Sequence, residues 1–449
     1  MPRLKLFERE DGISLGVFRA FFGVIMTLQF ITFREQVPMF VDSAMFLFTY
    51  DFFHWIKPFP EPYLTGVLTL LVLNSAVFAT GRFYRITAII QFVGMFYVFH
   101  LGKALYNNHY YLFILISLLM VFVRGNAEFV LLGKKTHGIP RWQRILIQTQ
   151  IVIVFFYGGI AKMNSEWLFH FQPIKAWLPD MLGSEIMQLI TENQMVMLAA
   201  FLSYFGLLFD LVIGFLILSK RTRSIGVPLY LAFHLMNAVF FNIGLFPWFC
   251  MGALCLFVEQ QTLVDFLAGA RKWLLNGKTR QARSEQTEQH SPVKHHLAKA
   301  FFFGWIFFQL VIPFRHWFID GWVLWDERGY NFSWFMKLRT KEPRIAIKAK
   351  IGNDPADYYI ELEKFLTKNQ GRSIGYKPVN LVQFAHFLEA FYREKGELED
   401  IRIYADVTTQ LHDHKPQRLV DPNVDLTSLD INNDLGLSRY DWVVPFQDR

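Results

Sequence analysis

Lys162 stands where an apolar run that starts near Ile145 meets a polar loop, within Tyr157-Gly-Gly-Ile-Ala-Lys-Met-Asn-Ser-Glu-Trp167. An amine kept from water gives up its proton more readily, and such an amine can act as a base near neutral pH. The commoner fate of a lysine at this kind of boundary is to snorkel toward headgroups, and position alone leaves both readings open. Tyr106-Asn107-Asn108-His109 sets two amides and an imidazole at the start of another apolar run. It equally suits a helix cap, with Asn as N-cap. In Phe233-His-Leu-Met-Asn237, His234 and Asn237 are three residues apart and share a helix face, where they could bind a ligand or bond a neighbouring helix. Tyr330-Asn-Phe-Ser-Trp-Phe-Met336 reads as an aromatic lid or as an interfacial belt. Asp210 lies inside an apolar run, where a structural role is expected, paired with a neighbouring span or protonated. His412-Asp413-His414 is a lone His-x-His in a polar turn, and no metal site is expected. Gly158-Gly159 predicts close helix contact.

The elements that must position these groups are membrane helices. Of 449 residues, 53% are hydrophobic and only 18% charged, against about 25% charged in soluble domains. The 49 Phe residues add to the case for a polytopic α-helical membrane protein. A net charge of +7 could suggest nucleic acid, but the basic residues fall between apolar runs, so no nucleic-acid partner is expected. Cys250 and Cys255 share one apolar segment, which leaves no exterior disulfide framework and no Cys-based metal site.

About nine transmembrane helices are predicted, at 13–33, 64–80, 86–102, 110–123, 145–161, 194–218, 225–241, 245–258 and 299–317, the fourth and eighth short, tilted or re-entrant. The first reads as an uncleaved span. With the N-terminus cytoplasmic, the cytoplasmic segments hold 19 Lys and Arg and the opposite segments 4, which favours that orientation. Residues 1–317 then form the multi-span part, and 318–449 a small exterior (periplasmic or lumenal) α+β domain. In that domain Arg344–Ile351 and Ile401–Leu411 read as strands, and Tyr358–Leu362 as a partner of the first. Leu381, Phe384, Leu388 and Phe391 mark an amphipathic helix ending near Gly396. Residues 276–296 read as a flexible cytoplasmic linker.

This orientation gathers Lys162, His109, His234, Asn237 and the aromatic stretch in the outer half of the membrane. In their order along the chain these residues resemble the vitamin K-dependent gamma-carboxylase family, with its HTTM-type transmembrane domain. The matching motifs are Leu15-Gly-Val-Phe-Arg19, Tyr84-Arg-Ile86, Tyr97-Val-Phe99, Asn107-Asn-His109, and Gly159, Lys162 and Trp167 in a Gly-x-x-Lys-x-x-x-x-Trp pattern. Leu208-Phe-Asp-Leu211, Gly214-Phe-Leu216, Arg223-Ser-Ile-Gly226, Phe233-His-x-Met-Asn237 and Ile243-Gly-x-Phe246 follow. Gly329-Tyr-x-x-Ser-Trp-x-Met336, Asp421-Pro-x-Val-Asp425 and Trp442-Val-x-Pro445 complete the set.

The resemblance implies a glutamate gamma-carboxylase that is also a vitamin K epoxidase. Its cofactor would be vitamin K hydroquinone, here menaquinol-like, with dioxygen and carbon dioxide as co-substrates and no metal. Lys162 holds the place of the base that deprotonates the hydroquinone. His109 holds that of the histidine assisting carboxylation. Asn108, His234, Asn237, Ser333, Trp334 and Met336 would lie around quinone or glutamate. The partners implied are the bilayer and a glutamate-containing protein or peptide. Ala161 replaces a second family lysine, the family's exterior disulfide is impossible, and the exterior part is shorter than in animal members, so a bacterial homologue is expected. Two other readings share these residues: a different lysine-base enzyme acting on a lipid-soluble substrate, and a non-catalytic membrane scaffold that binds a partner through the exterior domain.

Overall fold

The long apolar runs fold as helices, because in hydrocarbon every backbone N–H and C=O must find its partner within the segment. The computed structural model describes residues 6–42, 45–241, 243–275, 292–394, 400–430 and 440–447. In chain order its main helices in the first part are α1 (Ile13–Glu35), α2 (Tyr63–Thr80), α3 (Tyr84–His100), α4 (Asn108–Phe122), α5 (Arg141–Ala161) and α6 (Ile174–Met187). They continue with α7 (Glu192–Leu218), α8 (Arg223–Phe240), α9 (Phe246–Ala253), α10 (Gln260–Leu275) and α11 (Pro292–Phe314).

Among the described residues, five helices are long and apolar enough to cross a bilayer: α1, α2, α5, α7 and the stretch His296–Phe318. A sixth is reached if the bent pair Phe246–Leu256 and Gln260–Gly269, which turns through 112°, counts as one span. Length and composition thus support five or six of the nine expected spans. The shortfall has physical causes. α4 has 15 residues, about 22 Å of helix against about 30 Å of hydrocarbon. α3 has only 17 residues, and α8 carries Arg223, His234 and Asn237. The eighth expected span is the broken one. The loop 163–193 is not bare: it forms a short helix, Ser165–Leu168, and then α6, which contains Pro179 and kinks at Gly183, where φ is 78°.

α1 packs on α2, α3 on α4, and α5 lies between α7 and α11. One close approach is at Gly159. A Cβ there would come within 2.9 Å of the backbone N of Leu211 on α7, so only glycine lets these two helices meet so tightly. The outward faces expose Leu70, Phe201, Phe215 and Val239, which suits lipid.

The C-terminal region is built on an antiparallel sheet of order β2-β1-β3-β4: β1 (Lys341–Ile351), β2 (Tyr358–Tyr359), β3 (Ile401–Leu411) and β4 (Gln417–Arg418). β3 has its expected bounds, β1 begins three residues early, and β2 shrinks to two residues. Inward residues of β3, from Ile401 through Ile403, Ala405 and Val407, are buried in strict alternation. α12 (Pro378–Glu394) covers this face with Leu381, Phe384 and Leu388. Its expected end near Gly396, and residues 276–291 of the expected linker, lie outside the described residues.

This core is shared with the first part of the chain. Phe48, Trp167, Ile174 and Leu178, from loops between the helices and from α6, are buried with Trp325, Leu381 and Ile403. Hydrogen bonds join the two parts as well: the Phe46 N–H donates to Phe365 O at 2.7 Å, and the Gln383 side chain donates from Nε2 to Thr49 O at 2.9 Å. The C-terminal region is therefore seated on the helices, and a cavity lies at the junction.

Candidate active site

Lys162 caps the C-terminus of α5, where four carbonyls lack helical partners. Its Nζ donates to Gly158 O at 3.3 Å and to Asp210 Oδ2 on α7. The two side chains are only 9% and 5% exposed. Gly158 leaves the room for this pair, since a Cβ there would lie 3.2 Å from Asp210 Oδ2. Nζ also lies 5.1 Å from the ring centroid of Trp167. Trp167 is fixed in turn by its Nε1–H, which donates to Ser203 O at 2.8 Å. Moving one proton along the Lys162–Asp210 bond turns ammonium and carboxylate into amine and acid. Neither state strands a lone charge in the dry interior. The lysine is therefore held in place rather than snorkelling, and it has a neighbour able to hold its proton.

Lys162 and Asp210 line a cavity of about 360 Å³. That lies in the range of small-molecule sites, about 300–1,000 Å³. Phe155, Trp167, Trp177, Phe205, Phe233 and Phe246 supply aromatic walls. Asn108, His109, His234, Asn237 and Met336 also line it, so the structure brings these five expected residues to one space with Lys162. His109 follows a helix cap: Asn107 is the N-cap of α4, its Oδ1 accepting the His109 N–H at 3.2 Å. The His109 ring lies 6.1 Å from that of Phe246. His234 is fully buried, and neither ring nitrogen has a hydrogen-bond partner among the described residues. Buried polar atoms are rarely left so unless a ligand or water completes them. Asn108 is partly committed: its Nδ2 donates to Phe335 O at 2.6 Å, which ties α4 to the aromatic stretch.

Ser333 and Trp334 do not line the cavity. The Ser333 hydroxyl donates to Gly329 O at 2.7 Å and accepts from Arg315 Nη1 at 2.9 Å. Trp334 is buried against Tyr111, ring to ring at 5.0 Å. Alternate residues of this irregular stretch cannot all face one way, and here Phe335 and Met336 face the cavity instead. The expected lid is thus a packed wall. The histidines of the His-x-His turn also point elsewhere: His414 Nε2 meets Glu166 at 3.1 Å, and His412 Nδ1 lies 3.3 Å from Thr340 Oγ1.

Sequence reasoning gave Asp210 a structural role and overlooked Lys337, Arg339 and Lys377, which line the wall supplied by the C-terminal region. The pairing expected for Asp210 is met by Lys162, and a clue to the cations was available, since they alternate after Met336 at Lys337, Arg339 and Lys341. Burial pulls Lys337 below the ordinary lysine range and Lys377 down to about 8, the latter opposed by Glu327.

Residues 7–261, more than half the chain, match the HTTM domain family. Residues 294–449 match the lumenal domain of vitamin K-dependent gamma-carboxylase. The chain belongs to the vitamin K-dependent gamma-carboxylase family. No solved structure matches it significantly. Membership, with the apolar helices, makes it an integral membrane protein with a lumenal C-terminal region, and at family level a vitamin K-dependent carboxylase.

Proposed function

We propose that this family member couples oxygenation of a menaquinol-like vitamin K hydroquinone to gamma-carboxylation of glutamate in a protein or peptide, at the exterior face of the membrane. The observation that carries this reading is the buried Lys162–Asp210 pair opening onto an aromatic cavity. The residues fit the quinol: aromatic walls suit a flat fused ring, while His234, Asn237 and Asn108 offer polar contacts to ring oxygens. When bound, the quinol supplies, through its oxidation by dioxygen to the epoxide, the base strength needed to remove a glutamate γ-proton.

The chain's own groups do the rest. The Lys162 amine, with its proton lodged on Asp210, accepts a proton from a ring hydroxyl. The aromatic walls exclude water that would quench a strong base. His109, across the cavity wall on α4, is placed to receive or return a proton during carboxylation. The topology that serves this chemistry is nine crossings with a cytoplasmic N-terminus, a multi-span unit of residues 1–317 and an exterior unit of 318–449. A lipid-soluble quinol then enters from the bilayer and a peptide from the aqueous side.

The test is purified protein in nanodiscs, given reduced vitamin K, dioxygen and labelled bicarbonate. Epoxide together with label fixed in glutamate is expected. Neither product, from folded protein shown to bind the quinol, would overturn the reading. Mass spectrometry of co-purifying lipid adds a second arm, since a lipid other than a quinone would favour a different lysine-base enzyme.

A further inference from the structure

The His412-Asp413-His414 turn does not line the cavity, yet it grips the loop that follows Lys162. His414 Nε2 lies 3.2 Å from Glu166 Oε1 and 3.1 Å from Oε2. An ionised carboxylate only accepts, so the imidazole is the donor. The Glu166 side chain is 3% exposed and that of His414 15%, so the bond is made away from bulk water. Beside it, Lys175 Nζ lies 3.5 Å from Asp413 Oδ2, and the Gln172 side chain donates to the same carboxylate group. The His414 ring packs against those of Phe446 at 5.1 Å and His170 at 6.0 Å. One turn of the C-terminal region thus holds Glu166, Gln172 and Lys175 of a single loop.

Glu166 is the neighbour of Trp167 in the chain and lies one helical turn beyond Lys162. Asn164 makes this piece compact. Its Oδ1 caps the short helix Ser165–Leu168 by accepting the Trp167 N–H at 3.1 Å, and its Nδ2 donates to Ala161 O at 2.9 Å. On one side α7 holds the piece through the Trp167 indole on Ser203 O and the Tyr204 hydroxyl on Leu168 O, each at 2.8 Å. On the other side His414 holds it through Glu166. The indole near Lys162 Nζ is therefore clasped between α7 and the C-terminal region. The two ties differ in what their loss would do. Those to α7 join neutral groups. The tie to His414 satisfies a buried charge, and a carboxylate stripped of its donor must turn to water. Turning Glu166 outward rotates the helical turn that it shares with Trp167.

We infer that His414 is a positioning residue for Lys162. By holding Glu166 inward it keeps Trp167 against the amine and the Lys162–Asp210 pair dry, so the seating of the C-terminal region on the helices sets the state of the base. The inference rests on the reading of Lys162 as that base, and it gives the His-x-His turn a role that needs neither a metal nor contact with a substrate.

The experiment follows Lys162 directly. The full chain in nanodiscs is methylated with formaldehyde and cyanoborohydride, and modification of Lys162 is timed by peptide mass spectrometry. Epoxide turnover per folded molecule is measured alongside, at saturating reduced vitamin K. His414→Leu keeps the packing against Phe446 and has no donor. Lys162 should then be modified about tenfold faster than in the parent, because its cover opens. Turnover should fall about tenfold to 10²-fold with little change in KM, since the base is misplaced rather than the cavity lost. His414→Gln, which keeps a donor of similar reach, should retain most of the protection and most of the turnover. Should His414→Leu not fold, His414→Asn, polar but too short to reach Glu166, should expose Lys162 in its place. Lys162 modified no faster in the folded variant than in the parent would overturn the inference. Faster modification with unchanged turnover would do so as well. The labelling needs no activity, so the two claims can fail separately. A parent chain that makes no epoxide, yet whose Lys162 is uncovered by His414→Leu, would sink the proposed function and leave the tie standing. A parent that makes epoxide, with Lys162 still covered in His414→Leu, would do the reverse.

Discussion

Arg19 and Lys162 both lie buried within the helical part, and their surroundings differ in kind. Arg19, in α1, is wholly buried. Its guanidinium donates to Gly16 O at 3.3 Å, Phe78 O at 3.1 Å and Phe129 O at 2.9 Å, which ties α1 to the end of α2 and the loop beyond α4. A Cβ on Gly81, where φ is 87°, would lie 2.3 Å from Arg19 Nη1, so a glycine makes the space. Lys162 meets one carboxylate and one carbonyl and faces a cavity. Arg19 is saturated by backbone and has nothing left to react with. Lys162 is held beside a group that can trade its proton, with open volume in front of it. The same cost of burying a charge is thus met once by a structural tie and once by a site ready for chemistry.

The sharpest way to break this contrast is to remove each cation. Lys162→Ala should lower epoxide formation by about 10²–10⁴-fold, read by chromatography of the quinone products. The double variant Lys162→Met/Asp210→Leu should be as inactive yet melt close to the parent chain, since an apolar pair can replace a buried ion pair without loss. Activity in the double variant would refute the role of the pair. Arg19→Met should instead remove its buried hydrogen bonds to the Gly16, Phe78 and Phe129 carbonyls and cost about 3–5 kcal/mol, seen as a lower melting temperature or failed expression. An unchanged melting temperature would show that the tie is dispensable.

Smaller effects sharpen the picture. His109→Ala should reduce label incorporation about tenfold more than epoxide formation, because its place is on the carboxylation side; equal loss of both would move it to the quinol half. The weakest expected effect is on pH. Burial holds Lys341 and Lys377 down to about 8, with Glu327 and Arg339 facing both and Lys103 also near Lys377. Both are charged below that value and neutral above it, while in the unfolded chain they keep their protons to about 10, so the melting temperature should rise modestly as pH goes from 7 to about 9. A flat profile would show that these two lysines titrate in the ordinary lysine range.

Much of this was legible in the chain. Asn107 announced a helix start, Gly158-Gly159 a close crossing, and the alternation from Ile401 to Leu411 a half-buried strand, because each depends on neighbours in sequence. Ser333 and Trp334 were placed at the cavity from a motif, and they turn away because the positive-φ backbone at residues 332, 334 and 337 breaks any regular alternation. The count of crossings was also only partly legible, since α4 is short and the eighth segment bends through 112°.

By itself the sequence determined the long apolar helices, the alternation of the main strands and the presence of a lysine at the end of an apolar run. These follow from periodicity and capping, which act over a few residues. Only the tertiary structure decided that Lys162 meets Asp210, 48 positions away, that neither ring nitrogen of His234 finds a partner among the described residues, and that three cations of the C-terminal region share the same cavity. Such partnerships depend on how each helix is rotated and on where the sheet region is seated, and no local pattern of residues encodes either.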